Sequence, residues 1–140
     1  NAACAVGFGS VVKVVPGFSV LTNIALNMPG SILFSEAIAV NLLAGATGSA
    51  SGGMSIALAA LGDTFMARAT EIGLDPGVLH RIASISSGGL DTLPHNGAVL
   101  TLLAVSNCTH KESYLDICIT TCIIPLVASL GLALVWGLFI

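Results

Sequence analysis

The sequence predicts an all-α integral membrane protein, and three observations support this prediction. Charged residues make up 8% of the 140 residues, against about 25% in typical soluble domains, and the mean hydropathy is +0.99. Long stretches carry no Asp, Glu, Lys or Arg, as between Lys13 and Glu36 and after Asp116. Two polar, glycine-rich interruptions lie inside apolar segments. This composition argues against a soluble enzyme, a nucleic-acid binder with a basic patch and a disordered tail.

Residues 1–34 are expected to hold the tail of a preceding membrane helix and a connecting amphipathic segment. Pro16-Gly17 and Pro29-Gly30 punctuate this part of the chain, and such pairs favour turns. The sequence starts with Asn1 inside an apolar run and lacks the basic segment of a signal peptide. We therefore expect it to be a C-terminal fragment of a longer membrane protein.

The first interruption, residues 48–53, reads GSASGG. Its apolar flanks, residues 36–47 and 54–67, predict helices of about 12 to 14 residues, or roughly 18 to 21 Å each. Neither crosses a hydrocarbon core of about 30 Å alone. The flanks are therefore either the two arms of a re-entrant hairpin or two halves of one broken helix. Alternatively, the small residues Gly48 and Gly52 form a close helix-packing face.

The second interruption, residues 87–97, reads SGGLDTLPHNG and divides the segment 76–107. Pro94 lacks a backbone N–H, and the glycines permit non-helical dihedral angles. Taken alone, this stretch is compatible with an ordinary loop outside the membrane. Two interrupted, short apolar segments in one chain are instead typical of the substrate site of a transporter.

Residues 114–140 predict a C-terminal transmembrane helix. The run from Ile117 to Ile140 has no charged residue and exceeds the roughly 20 apolar residues that a span requires. Pro125 within it is tolerated in a membrane when a neighbour satisfies the carbonyl group that proline leaves free. Trp136 fits an interfacial anchor, and Ser113 is the expected N-cap.

The interruptions suit an anionic ligand. A helix that begins inside the membrane presents unpaired N–H groups and the positive end of its dipole. Neither interruption contains Arg or Lys, so recognition would rest on backbone dipoles and polar side chains. Hydroxyl and amide groups are available for additional hydrogen bonds on Ser49, Ser51, Thr92 and Asn96.

These residues resemble a known family. The stretches ATGSASGGMSIAL and LHRIASISSGGLDTLPHNGAVLTLLAV, with GFGSVVKVVPGF upstream and THKESYLDI downstream, are similar to the C-terminal part of the gluconate permease (GntP) family. That family belongs to the ion transporter superfamily. Its members import gluconate, related sugar acids or hydroxy acids such as 3-hydroxybutyrate, typically with protons. The resemblance implies a multi-pass protein of the bacterial inner membrane, and we expect a homodimer at full length.

The resemblance also implies an architecture of inverted repeats, of which this chain is the C-terminal half. Residues 35–67 would be a re-entrant hairpin with its tip at 48–53, and residues 76–107 a discontinuous helix broken at 87–97. The tip and the break would meet at mid-membrane and form half of the substrate site. The implied substrate-binding residues are Ser49, Ala50, Ser51, Gly52, Gly53, Gly88, Gly89, Thr92, His95, Asn96 and Gly97.

Two titratable residues of the second interruption are candidates for proton coupling. Asp91 is the leading one, because carboxylates held in a low-dielectric site can load and release protons; alternatively, it caps nearby backbone N–H groups. His95 could contact substrate, share a proton with Asp91 or orient the loop. Glu36 is interpreted as a first-turn acid that stabilises the dipole of its helix.

Two other classes of function compete with transport. Asp91 and His95 could form the acid–base pair of an intramembrane enzyme, or the chain could be a purely structural membrane fragment. No nucleophile elbow, metal cluster or cofactor motif is present in the sequence, so we expect no enzyme, no metal and no cofactor beyond the coupling proton. Cys118 and Cys122, one helical turn apart, are interpreted as packing residues. The expected partners are the lipid bilayer and a small organic anion, with no nucleic acid.

The charges and the resemblance imply opposite orientations in the membrane. Lys13, Arg68 and Arg81 would share one side of the membrane, with Lys111 on the other, and the positive-inside rule places the first side in the cytoplasm. The resemblance implies the reverse, with the hairpin opening to the outside.

Overall fold

The computed structural model describes Val11, residues 14–26 and residues 30–139. Most of the segment predicted as the tail of a preceding helix lies outside these residues. The prediction of an all-α chain is confirmed, since the described part contains helices and no strand. In chain order the helices are α1 (Pro16–Leu26), α2 (Ile32–Thr47), α3 (Ala50–Glu71), α4 (Pro76–Ser86), α5 (Gly97–Ser106), α6 (His110–Cys118), a π-helical turn (Ile119–Ile123) and α7 (Ile124–Gly137).

Helices α2 and α3 form a hairpin with a two-residue connection. Gly48 ends α2 in the left-handed conformation, with φ at 59°. The N–H of Ser49 bonds the carbonyl of Ala44 at 3.2 Å and the N–H of Gly48 bonds that of Gly45 at 3.3 Å, the pattern of a Schellman cap. Ser49 then caps α3, because its hydroxyl accepts the N–H of Gly52 at 3.2 Å.

Both arms of this hairpin are longer than the sequence predicts. Helix α2 has 16 residues and α3 has 22, about 24 and 33 Å at 1.5 Å per residue. The predicted interruption 48–53 shrinks to Gly48 and Ser49, because the remaining four residues form the first turn of α3. Helix α2 begins earlier in the chain than the sequence predicts, because Ser31 is its N-cap and the Ser31 hydroxyl accepts the N–H of Phe34 at 3.3 Å.

Helix α2 lies at the centre of the fold and packs against α1, α3, α4 and α7. The larger apolar cluster joins Leu33 of α2, Phe65 of α3, Ile82 of α4 and Ala133 of α7. A second cluster joins Val40 and Leu43 of α2 to Phe18 of α1 and to residues of α3 and α4. The hairpin, α4 and the C-terminal helix are therefore held as one unit.

The segments α6, the π-helical turn and α7 form one continuous helix, His110–Gly137, called the C-terminal helix below. Its 28 residues, with a mean hydropathy of 2.3 in the most apolar window, make it the one helix in the described residues long and apolar enough to cross a membrane. It begins at His110 because Thr109 and Glu112 form a capping box. The prediction that Ser113 is the N-cap of this helix is therefore wrong. Large apolar side chains on its outer side, such as Val127 and Val135, are exposed.

Candidate functional site

Asn96 joins the hairpin connection to the second interruption. Its Nδ2 atom donates to the carbonyl of Gly48 at 2.8 Å and to the carbonyl of Asp91 at 2.6 Å. His95 lies against Gly48, where an added Cβ would come within 3.0 Å of the imidazole ring. The structure thus brings together two stretches that are separated by about forty residues in the sequence.

The same asparagine caps α5. Its Oδ1 atom accepts the N–H groups of Ala98 at 2.5 Å and Val99 at 3.1 Å. An asparagine side chain offers two donor hydrogens and an oxygen with two lone pairs, and Asn96, which is 6% exposed, uses all of them within the protein. The geometry therefore gives Asn96 a positioning role, although the sequence analysis placed it among the substrate-binding residues.

Two helix N-termini meet at this point. Helix α3 begins directly after Ser49 and α5 directly after Asn96, so the Asn96–Gly48 hydrogen bond sets their positive ends side by side. The caps occupy several of the terminal N–H groups, as described above. The N–H groups of Ser51 and Gly97 have no acceptor among the residues that the structure describes. Both residues are exposed.

The C-terminal helix holds the second interruption through Thr92. The Thr121 hydroxyl donates to the carbonyl of Ile117 at 2.7 Å, so the Thr92 hydroxyl is the donor towards Thr121. It lies 2.7 Å from the Thr121 hydroxyl and 3.2 Å from the Thr121 carbonyl. In a regular helix the N–H at position 125 would bond that carbonyl, and Pro125 has none. Thr121 lies in the π-helical turn just before Pro125, and Thr92 gives it a hydrogen-bond partner from outside the helix.

Two further contacts fix the same stretch to α6. The Tyr114 hydroxyl donates to the carbonyl of Thr92 at 3.3 Å, and the Nε2 atom of His110 lies 3.1 Å from the carbonyl of Pro94. A shallow groove beside this contact is lined by His95, His110, Lys111 and Tyr114. The structure therefore places one cationic side chain next to a predicted site residue. These partners could not be predicted from the sequence, because they lie far along the chain, in a segment whose pattern predicts only a membrane-spanning helix.

Several glycines of the predicted site serve close packing. A Cβ on Gly53 would overlap the backbone of Ala44, and one on Gly89 would overlap the Oδ1 atom of Asn41. Gly53 and Gly89 are accordingly buried. By contrast, Gly97 has no neighbour within 4 Å of such a Cβ, and Gly88 has only a carbonyl at 3.9 Å. Only the second pair leaves backbone open to a solute.

The predicted site residues thus fall into three groups by exposure. Three line the exposed surface at the meeting point of the two helix N-termini: Ser51, His95 and Gly97. Six are half-buried beside them: Ser49, Ala50, Gly52, Gly88, Asp91 and Thr92. Three are buried in packing or capping contacts: Gly53, Gly89 and Asn96.

Asp91 is half-buried. Its carboxylate interacts with the backbone N–H groups of Asp91 and Thr92, and its carbonyl accepts from Asn96. These contacts are those of a local cap. Its part in proton coupling stays a prediction.

Glu36 occupies a different place from the one predicted. Helix α2 begins at Ile32, so Glu36 lies in the second turn and not the first. It is 1% exposed, and its Oε2 atom has no hydrogen-bond partner. The interpretation of Glu36 as a first-turn acid that stabilises the helix dipole is therefore wrong. The signal that could have placed Glu36 in the second turn is Ser31, whose cap sets the start of the helix.

Comparison with known proteins adds one relative. Over 117 residues the chain is 45% identical to the uncharacterized transporter YxjC of Bacillus subtilis (strain 168). The aligned part covers 84% of this chain and 25% of that protein, so the chain spans about a quarter of the relative's length. No protein-family model matches the chain, and no solved structure matches it.

Proposed function

We propose that this chain is part of a secondary transporter that imports small organic anions across the bacterial inner membrane. Three findings support the proposal. The C-terminal helix is long and apolar enough to span a bilayer, apolar side chains cover its outer side, and the relative YxjC is named as a transporter. The remaining, larger part of the protein would complete both the membrane domain and the substrate site.

The meeting of two helix N-termini at Gly48 and Asn96 is the observation on which the anion site rests. The free N–H groups of Ser51 and Gly97 would bind a carboxylate, because N–H groups and helix dipoles at such an end favour negative charge. The Ser51 hydroxyl and the His95 ring would bond hydroxyl groups of the substrate. Lys111, in the groove beside His95, would attract the anion towards the site.

This set of groups fits a carboxylate that carries hydroxyl groups nearby. Gluconate and related sugar acids, and hydroxy acids such as 3-hydroxybutyrate, have this chemistry, and the resemblance to gluconate permeases supports the same choice. With no Arg or Lys in either interruption, binding would be moderate and reversible, as turnover requires.

Proton symport completes the proposal, with Asp91 and His95 as the groups that exchange the proton. Both lie in the interruption that also carries the anion site, so a change in protonation would alter the field at the substrate. A homodimer is the proposed assembly of the full-length protein.

The test is uptake by the full-length protein in proteoliposomes. Labelled gluconate and 3-hydroxybutyrate should accumulate when an inward proton gradient is imposed, and a protonophore should abolish accumulation. Uptake that a protonophore leaves unchanged would refute proton coupling. No uptake of any sugar acid or hydroxy acid would refute the substrate class. Asp91→Asn should impair accumulation more than it impairs membrane insertion; accumulation at the wild-type level would remove Asp91 from the mechanism.

A further inference from the structure

Glu36 is the one fully buried acid among the residues that the structure describes. Its Oε2 atom is out of contact with solvent and has no hydrogen-bond partner. A buried carboxylate without a counter-ion is costly, and ionisable residues inside membrane proteins therefore tend to mark proton or ion pathways. The transport mechanism proposed above does not use this residue.

Glu36 lines a cavity of about 160 Å³ between α2, α3 and α4. The other walls are mostly apolar, including Leu58, Phe65 and Leu79, but His80 also lines the cavity. This volume is large enough for water, and the Glu36 carboxyl group and the His80 ring are the polar groups that would hold it there, since an apolar cavity of this size stays dry. His80 is itself an exposed residue, so the cavity that it lines together with Glu36 borders the protein surface.

The other charged groups of the surrounding helices do not line this cavity. On α3 these are Asp63, Arg68 and Glu71, all exposed, and on α4 the exposed Arg81. Helices α1 and α7, which also pack against α2, contain no charged residue. Among the described residues, His80 is thus the titratable group that shares the cavity with Glu36.

We propose that Glu36 and its cavity form a proton-binding site, with His80 as the group through which protons enter. The His80 ring takes a proton from solvent and passes it to a cavity water. That water gives a proton to the Glu36 carboxylate, and His80 returns to its neutral form. One proton is bound per cycle, no bond other than N–H and O–H is made or broken, and the reverse sequence releases it.

This proposal rests on the proposed transport function and adds a second proton site to it. Glu36 and Gly48 lie on the same helical arm, twelve residues apart, or about 18 Å along the axis. Helix α2 packs against α3, α4 and α7, so a change of charge on Glu36 would act on the hairpin as a whole. The pathway from His80 also reaches α2 far from the substrate site, which separates proton entry from substrate entry.

Infrared difference spectroscopy of the full-length protein in lipid bilayers tests the site without any substrate. A pH titration should show the C=O stretching band of a protonated carboxylic acid, and Glu36→Gln should remove that band. The matched control Asp63→Asn, an exposed acid on the adjacent helix, should keep it. His80→Gln should slow the hydrogen–deuterium shift of the band. A spectrum that Glu36→Gln leaves unchanged would overturn the proposal.

Transport assays separate this proposal from the proposed function. Glu36→Gln should lower the number of protons taken up per substrate molecule below the wild-type value, while substrate counterflow stays within about twofold of wild type. Proton uptake at the wild-type stoichiometry in that variant would refute a role in coupling. If wild type transports none of the anions but its carboxyl band disappears in Glu36→Gln, the proposed function fails and the proton site stands. Should Glu36→Gln not insert, Glu36→Asp should retain a carboxyl band at a shifted frequency, and its absence would count against the site.

Discussion

Replacing Gly97 by proline would remove one N–H group from the start of α5 with little other change. Gly97 is the first residue of α5, the position at which proline is best tolerated in a helix. The preceding residue, Asn96, has φ −63° and ψ 133°, the extended conformation that a following proline favours. An atom added at Cβ of Gly97 meets nothing within 4 Å. The substitution therefore tests the backbone N–H that we assign to the substrate carboxylate.

The expected loss follows from the strength of one hydrogen bond to a charged group. Such bonds contribute about 1.5 to 3 kcal/mol, and each ~1.4 kcal/mol is a factor of ten in affinity. Substrate affinity should fall by about 10- to 150-fold in Gly97→Pro. Gly97→Ala keeps the N–H, and its side chain points into open space, so it should bind within about threefold of wild type.

The assay is isothermal titration or labelled-ligand binding with the full-length protein in detergent or nanodiscs. Thermal unfolding of both variants is measured alongside, because a loss of binding is informative only for a folded protein. Equal affinities of Gly97→Pro and Gly97→Ala would refute the assignment of this N–H to the substrate. If Gly97→Pro binds weakly but also unfolds well below Gly97→Ala, the local cap at Asn96 has been disturbed, and the assumption that α5 accepts the proline is wrong.

Three further predictions concern the contacts that hold the site. Gly53→Ala should destabilise the full-length protein by about 1 to 3 kcal/mol, because its methyl group would overlap the Ala44 backbone. The control Gly62→Ala, in the same helix and with open space around the added methyl group, should be neutral or stabilising in thermal unfolding. Equal effects of the two substitutions would contradict the packing argument. Thr92→Val should cost about 1 to 3 kcal/mol, because it removes the hydrogen bond to Thr121. Thr92→Ser should retain most of the stability, and a comparison of the unfolding midpoints of the two variants decides. Asn96→Asp keeps the oxygen that caps α5 but loses the two Nδ2 hydrogens that bond the Gly48 and Asp91 carbonyls. The hairpin connection is then held less firmly, so a protease should cleave it faster. Cleavage at the wild-type rate would exclude the link to Gly48.

The all-helical class and the C-terminal helix follow from composition and from the distribution of charges, because lipid excludes unpaired backbone and charge. The lengths of the two hairpin arms could not be predicted from composition and charge in the same way. Residues 50–53 look like a break in the sequence, yet they form a helical turn, since Ser49 caps it and Gly53 allows the backbone of Ala44 to approach. Glycine in a helix signals flexibility or close packing, and only the partner helix decides which.

The contacts between segments that are distant in the chain could not be predicted from the sequence either. Thr92 and Thr121 are 29 residues apart, and no local pattern pairs them. A proline has no N–H for the carbonyl one turn before it, and inside a membrane that carbonyl needs another partner. The sequence therefore predicts that the helix around Pro125 needs a hydrogen-bond partner, but it does not show which residue supplies one. The burial of Glu36 depends in the same way on the position of α3 and α4.

The polar side chains around the meeting point of α3 and α5 are mostly engaged in hydrogen bonds within the protein. Asn96 uses every hydrogen-bonding group it has, Ser49 caps α3, and Thr92 bonds the C-terminal helix. The helix N-termini are therefore held in position before a ligand arrives, and binding need not pay for their ordering. At the proposed site, the groups left for a ligand are the backbone N–H groups of Ser51 and Gly97, and the backbone holds them in a more fixed geometry than flexible charged side chains would have. A site built in this way would discriminate by the position of the carboxylate relative to the hydroxyl groups, so a substrate screen should vary that spacing before it varies chain length.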